Sequence, residues 1–391
     1  MGHYVTKLNL LRRSMKNPNH RKATIAAFAT ASALLLSACG GESTATDGAS
    51  TPAPAATSAP AEFPTSGTGV VNLYNWTDYI DPELLDKFEA DTGIEVILDT
   101  FDSNETLLAK LQSGATGYDI IMPSDYMVQQ MIELNMLQEV DVASFPNGKY
   151  IAPEFMDVYF DPGRKFTGPY MYGTTGIACN TKLEPECENI KSWKDLFTGN
   201  FPKVNALKDQ VEIVSAALRA TGVPAADLCT TDTAKYVAAE EMLAGFKPDV
   251  IDNDGGNERM ITGQASIRTS WNGDTHRMKM ENSDIIFIYP SEGLNFWSDH
   301  MAIPVGAPNL DNAKIFINWL MDPANMAAAS NFSGYNNAIT GTAELMNDEL
   351  KNDPGVIVPE ENKALLSPIP NCGEEARELY TQVFTTWLDS Q

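Results

Sequence analysis

Between residues 69 and 137 the chain alternates short apolar runs with amphipathic stretches, and this alternation constrains the fold more than any other feature. Gly69-Val-Val-Asn-Leu-Tyr-Asn75 reads as a buried strand. Asp81-Pro82-Glu83 then carries three helix-start signals in a row: an N-cap, a proline in the first turn and an acid near the positive helix end. The stripe Leu84, Leu85, Phe88 follows, and Thr92-Gly93 stops it. Ile94–Leu98 reads as a second strand, Asn104–Leu111 as a helix with Leu107, Leu108 and Leu111 on one side, Tyr118–Met122 as a third strand and Ser124–Leu137 as a third helix. Strand and helix at this spacing argue an α/β fold built on a parallel sheet. Ligands of such sheets sit beyond the carboxyl ends of the strands. Trp76-Thr77-Asp78-Tyr79 and Ser124-Asp125-Tyr126 lie at those ends.

The pattern continues with longer helices at Val211–Ala220 and Thr233–Phe246, a strand at Ile285–Tyr289, and amphipathic helices at Asp311–Leu320 and Glu374–Leu388. The body, residues 68–391, has 324 residues. That exceeds the comfortable size of one core, so two lobes are expected.

The first 67 residues read differently. Residues 1–22 carry Lys7, Arg12, Arg13, Lys16, Arg21 and Lys22 with no acid, Ala23–Leu36 is apolar, and Leu36-Ser37-Ala38-Cys39 closes the run. This is the export-signal layout, and the apolar run is too short to span a bilayer. A Cys after Leu-Ser-Ala resembles a bacterial lipobox, which implies cleavage before Cys39 and lipidation of its thiol. The true start is Met1 or Met15. Residues 40–67 are mostly Gly, Ser, Thr, Ala and Pro and lack the apolar anchors of a core, so they read as a tether spanning on the order of 30 Å.

The chain has 27 bases and 52 acids. Without the six signal cations, 21 bases face 52 acids, a charge of −31. A surface of that sign argues against nucleic acid and favours a cationic partner, although solubility alone accounts for it equally well. Cys179, Cys187, Cys229 and Cys372 remain after Cys39. In an oxidising compartment they allow three pairings, and loop length favours Cys179–Cys187 with Cys229–Cys372.

Enzyme signals are weak. His276 and His300 have no partner at metal-ligand spacing, there is no Gly-x-Ser-x-Gly, and the Gly67 and Gly255 clusters lack phosphate-loop spacing. No cofactor and no metal are expected. Aromatics beside acids do recur: Trp76-Thr77-Asp78-Tyr79, Trp271-Asn272-Gly273-Asp274 and Phe296-Trp297-Ser298-Asp299. Asp209 and Glu212 lie three apart at a helix start. A ring face attracts an ammonium group, a carboxylate accepts its N–H bonds, and ring faces pack the methylenes between two amines. For a single pair, core packing is the better explanation; three pairs and a helix-start couple weaken it.

At these residues the chain resembles the spermidine/putrescine-binding proteins of ABC transporters, through most of residues 70–345. The resemblance rests on Tyr-Asn-Trp-Thr-Asp-Tyr (74–79), Ser-Asn-Glu-Thr (103–106), Tyr-Asp-Ile-Ile-Met-Pro-Ser (118–124), Trp-Asn-Gly (271–273) and Phe-Trp-Ser-Asp-His-Met-Ala-Ile-Pro (296–304). It implies a two-lobed periplasmic-binding fold, with lobe 1 over 68–175 and 299–345, lobe 2 over 176–298 and 346–391, and a ligand cleft between them. It implies ligand-binding roles for Trp76, Thr77, Asp78, Tyr79, Ser124, Tyr126, Asp209, Glu212, Trp271, Asp274, Trp297, Asp299 and Tyr335. One amine is expected at Asp274, the other end at Asp209 or Glu212, and Asp299 beside a third amine or the nearer primary one. An acid at 274 resembles the putrescine-type branch, and Asp209 with Glu212 the spermidine-type branch, so ligand length stays open. The family's C-terminal glutamine has no match in Pro370-Asn371-Cys372-Gly373. The implied protein is a monomeric, lipid-anchored receptor in the periplasm or at the cell surface, serving ABC permease subunits and doing no chemistry. The alternative is a receptor of the same fold for another cationic or zwitterionic amino-compound; a ligand bearing an anion would need an Arg, and Arg268 and Arg277 flank Trp271.

Overall fold

The computed structural model describes residues 62–391, apart from 115, 116, 254, 369 and 370. The expected signal (1–38), lipidated Cys39 and most of the tether (40–67) lie outside the described residues, as does Pro370.

Strand Val70–Trp76 pairs in parallel with Glu95–Phe101 on one side and Ile120–Ile121 on the other. The joining helices form where the start signals put them. Asp81 caps Pro82–Thr92 by accepting from the Glu83 amide, and Gly93, at φ 80°, ends it in the left-handed conformation that glycine adopts without penalty. Helix Asn104–Gln112 is capped by Ser103, and Ser124 occupies the N-cap of Asp125–Glu133.

The expectation of a parallel sheet holds for this corner and for the far end, where Val204–Ala206 pairs in parallel with Val250–Ile251 and Ile267–Trp271, but not for the sheet as a whole. The sheet is mixed, in the spatial order Glu95–Phe101, Val70–Trp76, Ile120–Ile121, Leu294–Ala302, Thr167–Asn180, Ile267–Trp271, Val204–Ala206, Val250–Ile251. Leu294–Ala302 runs antiparallel to both neighbours. Two elements are also shorter than their apolar runs suggest. The third strand keeps only Ile120–Ile121, and the helix after Ser124 ends at Glu133, because Leu137 leaves it to bridge Pro304.

Thr167–Asn180 carries the architecture. Its first half pairs with Leu294–Ala302 and Asn336–Asn337, and its second half with Ile267–Trp271 and Ile285–Ile288. One strand therefore serves two cores. Tyr170 and Met171 join Leu73, Phe88, Ile120, Val128 and Phe316 in the first; Ile177 and Cys179 join Trp193, Phe197, Leu218, Leu243 and Trp387 in the second. Helix Glu374–Asp389 completes the second core, with Trp387 Nε1 donating to Phe246 O at 3.1 Å and Tyr380 Oη to Leu228 O at 3.1 Å. Both disulfides formed by the described cysteines belong there: Cys179–Cys187, with Cα atoms 5.9 Å apart, and Cys229–Cys372, at 4.9 Å. These are the pairs that loop length favoured.

Candidate functional site

All thirteen residues singled out in the sequence line one cleft, together with Phe101, Asp102, Asn104, Val211, Asn253, Asn257 and Arg277. The segments that build it come from both sides of the shared strands.

The first side is organised around Asp299. The ladder between Leu294–Ala302 and Thr167–Asn180 shifts register between Ser298 and His300. Such a bulge leaves one residue unpaired and re-aims its side chain. The extra residue lies on Thr167–Asn180, where Tyr170 and Met171 stand opposite Asp299, and Asp299 bridges to Ser124. Ser124 Oγ donates to its Oδ1 at 2.6 Å, and Tyr79 Oη to its Oδ2 at 2.8 Å. Asn104 holds Ser124 in turn, through Nδ2 to Oγ at 3.0 Å and Oδ1 from the Ser124 amide at 3.1 Å. Asp299 is 5% exposed. Burial pushes its carboxyl up to about 7, against the two hydroxyl hydrogen bonds that lower it. Trp76 closes this side, its Nε1 donating to Met122 O at 2.8 Å and its ring 4.4 Å from Phe101. Thr77 and Asp78 form the exposed turn before Tyr79, with Asp78 at φ 53°. Tyr126 Oη donates to Glu105 Oε1 at 3.2 Å.

The opposite side sets its acids at helix starts. Asp209 is the N-cap of Gln210–Ala220, accepting from the Glu212 amide at 2.9 Å. Glu212, 6% exposed, accepts from Asn295 Nδ2 at 2.9 Å, and Asn295 accepts from Arg219 Nη2 at 3.1 Å. Both carboxyls are pushed up by burial, Glu212 further by Asp209, and Asp209 further by Glu105. Trp271 ends strand Ile267–Trp271 and caps Asn272–Glu281, whose first turn holds Asp274.

Two rings divide these poles. Trp297, 6% exposed, donates from Nε1 to Thr175 Oγ1 at 3.2 Å and lies 5.2 Å from Tyr335, which is itself 5.4 Å from Tyr79. Glycines make room for both. A Cβ on Gly173 would sit 2.6 Å from the Trp297 ring, and one on Gly273 would sit 2.4 Å from the Tyr335 ring. Such contacts are impossible for any other residue without displacing the ring.

Three points bear on the sequence reading. Asp274 is engaged within the protein: its Oδ1 accepts from Arg277 Nη2 at 2.5 Å and from Tyr335 Oη at 3.1 Å. Arg268 stays out of the cleft, fully buried against Asn257 Oδ1 and Asn253 O. Among the described residues, nothing from 366 onward lines the cleft; Cys372 is committed to its disulfide. The lining residues Asn253 and Asn257 had no signal in the sequence, since they lie just before and in the first turn of helix Gly256–Thr262, in a polar stretch with no aromatic beside it. Of the histidines, His300 is buried between Arg164 Nη1 at 3.2 Å and Ser298, and His276 lies 2.8 Å from Asp353; neither reaches the cleft.

Among the described residues no basic side chain forms an ion pair with Asp209, Glu212 or Asp299. Buried carboxylates without a partner are costly, and either take up a proton or await a cation. Aromatic walls between two such poles fit a short chain of methylenes with a cation at each end.

Comparisons with known proteins point the same way. Residues 83–357 match the family described as bacterial extracellular solute-binding protein. The chain is 34% identical over 291 residues to spermidine/putrescine-binding periplasmic protein 1 of Haemophilus influenzae, covering 73% of this chain and 80% of that protein. It is 31% identical over 337 residues to a putrescine-binding periplasmic protein of Pseudomonas aeruginosa, covering 81% and 91%. A crystal structure of a spermidine/putrescine ABC transporter substrate-binding protein from Streptococcus pneumoniae superposes with a TM-score of 0.69 at 30% identity, over 82% of this chain and 99% of that one.

Proposed function

This chain belongs to the bacterial extracellular solute-binding protein family, in its spermidine/putrescine-binding group, and on that premise we propose that it captures a polyamine outside the cytoplasm and delivers it to the permease of an ABC transporter. The observation that carries the reading is the pairing of cation-free carboxylates, Asp299 and Glu212 buried and Asp209 half-buried, in a cleft walled by Trp76, Trp271, Trp297 and Tyr335. One ammonium group sits at Asp299 and the other at Asp209 and Glu212, with the methylenes against Trp297 and Tyr335. The thirteen cleft residues named from the sequence form that site. Lobe 1 spans 68–175 and 299–345 and lobe 2 spans 176–298 and 346–391, so the cleft lies at their junction. The ligand is bound and released unchanged. The protein works as a monomer, held in the periplasm or at the cell surface by lipidated Cys39. Replacing Cys39 with Ala is expected to move it from the membrane to the soluble fraction.

Titration calorimetry with putrescine, cadaverine, spermidine and spermine tests the reading. Wild type binds at least one of them and Asp299→Ala loses it; equal affinity of both proteins refutes the site. Arg277 in the cleft wall favours a second reading, a zwitterionic amino-compound whose carboxylate the guanidinium would hold. Titration with 4-aminobutyrate separates the two.

A further inference from the structure

Arg277 is the one basic side chain lining the cleft among the described residues. It sits one helical turn after Asp274, so the two side chains share a face of Asn272–Glu281. Both terminal nitrogens of its guanidinium bond within the protein. Nη2 donates to Asp274 Oδ1 at 2.5 Å, and Nη1 donates to the backbone oxygen of Asp78 at 2.7 Å. Tyr335 Oη donates to the same Asp274 oxygen at 3.1 Å. The Asp274 carboxylate is 7% exposed and the Arg277 side chain 26%, so the pair is shielded from water on the acid's side. A charge-assisted contact so placed is stronger than a surface ion pair.

Asp274 is therefore not an open acid like Asp299. An ammonium group brought to it would meet the guanidinium at close range, and like charges in a shielded site repel. With Asp274 neutralised from within, and Asp78 and Asp102 exposed to water, the sheltered part of the cleft offers two open acidic poles, Asp299 and the couple Asp209 with Glu212.

We infer that Arg277 is a specificity-determining residue: by occupying Asp274 it fits the cleft to ligands with two ammonium groups and excludes a third. The inference rests on the polyamine reading above. It assigns Arg277 the role of a built-in cation, standing where the extra amine of a triamine would go. It also accounts for an acid at 274 coexisting with the Asp209–Glu212 couple: the first is an internal counter-ion, the second an external one.

The test is calorimetry of the full mature chain with putrescine, spermidine and 4-aminobutyrate, for wild type and for Arg277→Gln, Arg277→Met and Arg277→Lys. Arg277→Met keeps the aliphatic stem, so lost packing is separated from lost charge, and thermal unfolding checks that each variant folds. Wild type is expected to bind putrescine more tightly than spermidine. In both neutral variants the putrescine-to-spermidine affinity ratio should fall at least tenfold, and Arg277→Lys should keep the wild-type preference. A purely structural role would weaken both ligands together and leave the ratio alone. A ratio within twofold of wild type in both neutral variants, with putrescine still bound, overturns the inference and leaves the polyamine reading intact. Tighter binding of 4-aminobutyrate than putrescine by wild type, lost in Arg277→Gln, overturns both and makes Arg277 a carboxylate receptor. Failure of wild type to bind any polyamine also removes both.

Discussion

The two sides of the cleft hold their acids by different means. On the first side Asp299 stands opposite a bulge in the neighbouring strand and is held only by neutral hydroxyls, Ser124 and Tyr79. On the second side Asp209, Glu212 and Asp274 all sit at helix starts, where backbone amides and the helix dipole favour negative charge, and Arg219 and Arg277 stand behind two of them. The cores behind them differ too, since both disulfides of the described residues brace the second. The two poles therefore differ in scaffold rather than in charge state: burial raises the carboxyls of both, so each is charged according to pH and ligand.

The largest expected effect breaks the comparison between the cores. Cys229–Cys372 closes a loop with a separation of 143 residues. Replacing both by Ser should cost about 4 kcal/mol of unfolding free energy. Hydrogen exchange should show the loss in Gln210–Ala220 and Thr233–Gly245, with Pro82–Thr92 still protected. Equal loss in both would mean that the two cores unfold as one unit.

Next comes the first pole itself. Asp299→Asn keeps the shape and removes the charge, and should weaken polyamine binding about a hundredfold, or about 3 kcal/mol, by calorimetry. An effect under threefold would shift the binding energy to the second side.

Smaller is the effect of pH. Asp299 has a carboxyl raised to about 7, so it is mostly protonated at pH 6 and mostly ionised at pH 8. Through Asp299 alone cation affinity should therefore rise about tenfold over that interval, with proton release on binding; Asp299→Asn should remove that part of the rise and leave the part due to the raised carboxyls of Asp209 and Glu212. Stability of the ligand-free protein runs the other way. A carboxyl whose folded pKa is raised contributes its full stability below the unfolded value, and loses it as pH rises through about 7. The melting temperature without ligand should fall between pH 5 and 8, and putrescine should restore most at pH 8.

The smallest effect probes the second side's half-buried ring. Trp271→Ala should weaken binding by about 1 kcal/mol, roughly fivefold, the size of one partly exposed cation–π contact.

Much of the site was legible because it is written in short local patterns. Trp76 to Tyr79 follow a strand, Ser124 and Tyr126 open a helix, Asp209 and Glu212 sit three apart, and the Trp271 and Trp297 segments repeat an aromatic–acid spacing. Each of these is set by the period of a strand or helix. Loop length likewise favoured the two disulfides found. The parallel-sheet expectation failed where local pattern ends. Leu294–Ala302 and Thr167–Asn180 are almost wholly buried, so neither shows the alternation that would mark direction or partner.

By itself, then, the sequence determined the α/β class, the two-core size and the set of aromatic–acid segments, because secondary-structure period and burial act over a few residues. Tertiary structure decided which acids are open. Tyr79 meets Asp299 across 220 residues, and Asn295 meets Glu212 across 83. The bulge that turns Asp299 into the cleft exists only once two antiparallel strands slip against each other. Asp274 looked like the other acids in the sequence, and Arg277 was always one helical turn away from it. Whether that arginine would face Asp274 or a ligand depended on the Asp78 carbonyl and the Tyr335 ring, brought there by segments far apart in the chain.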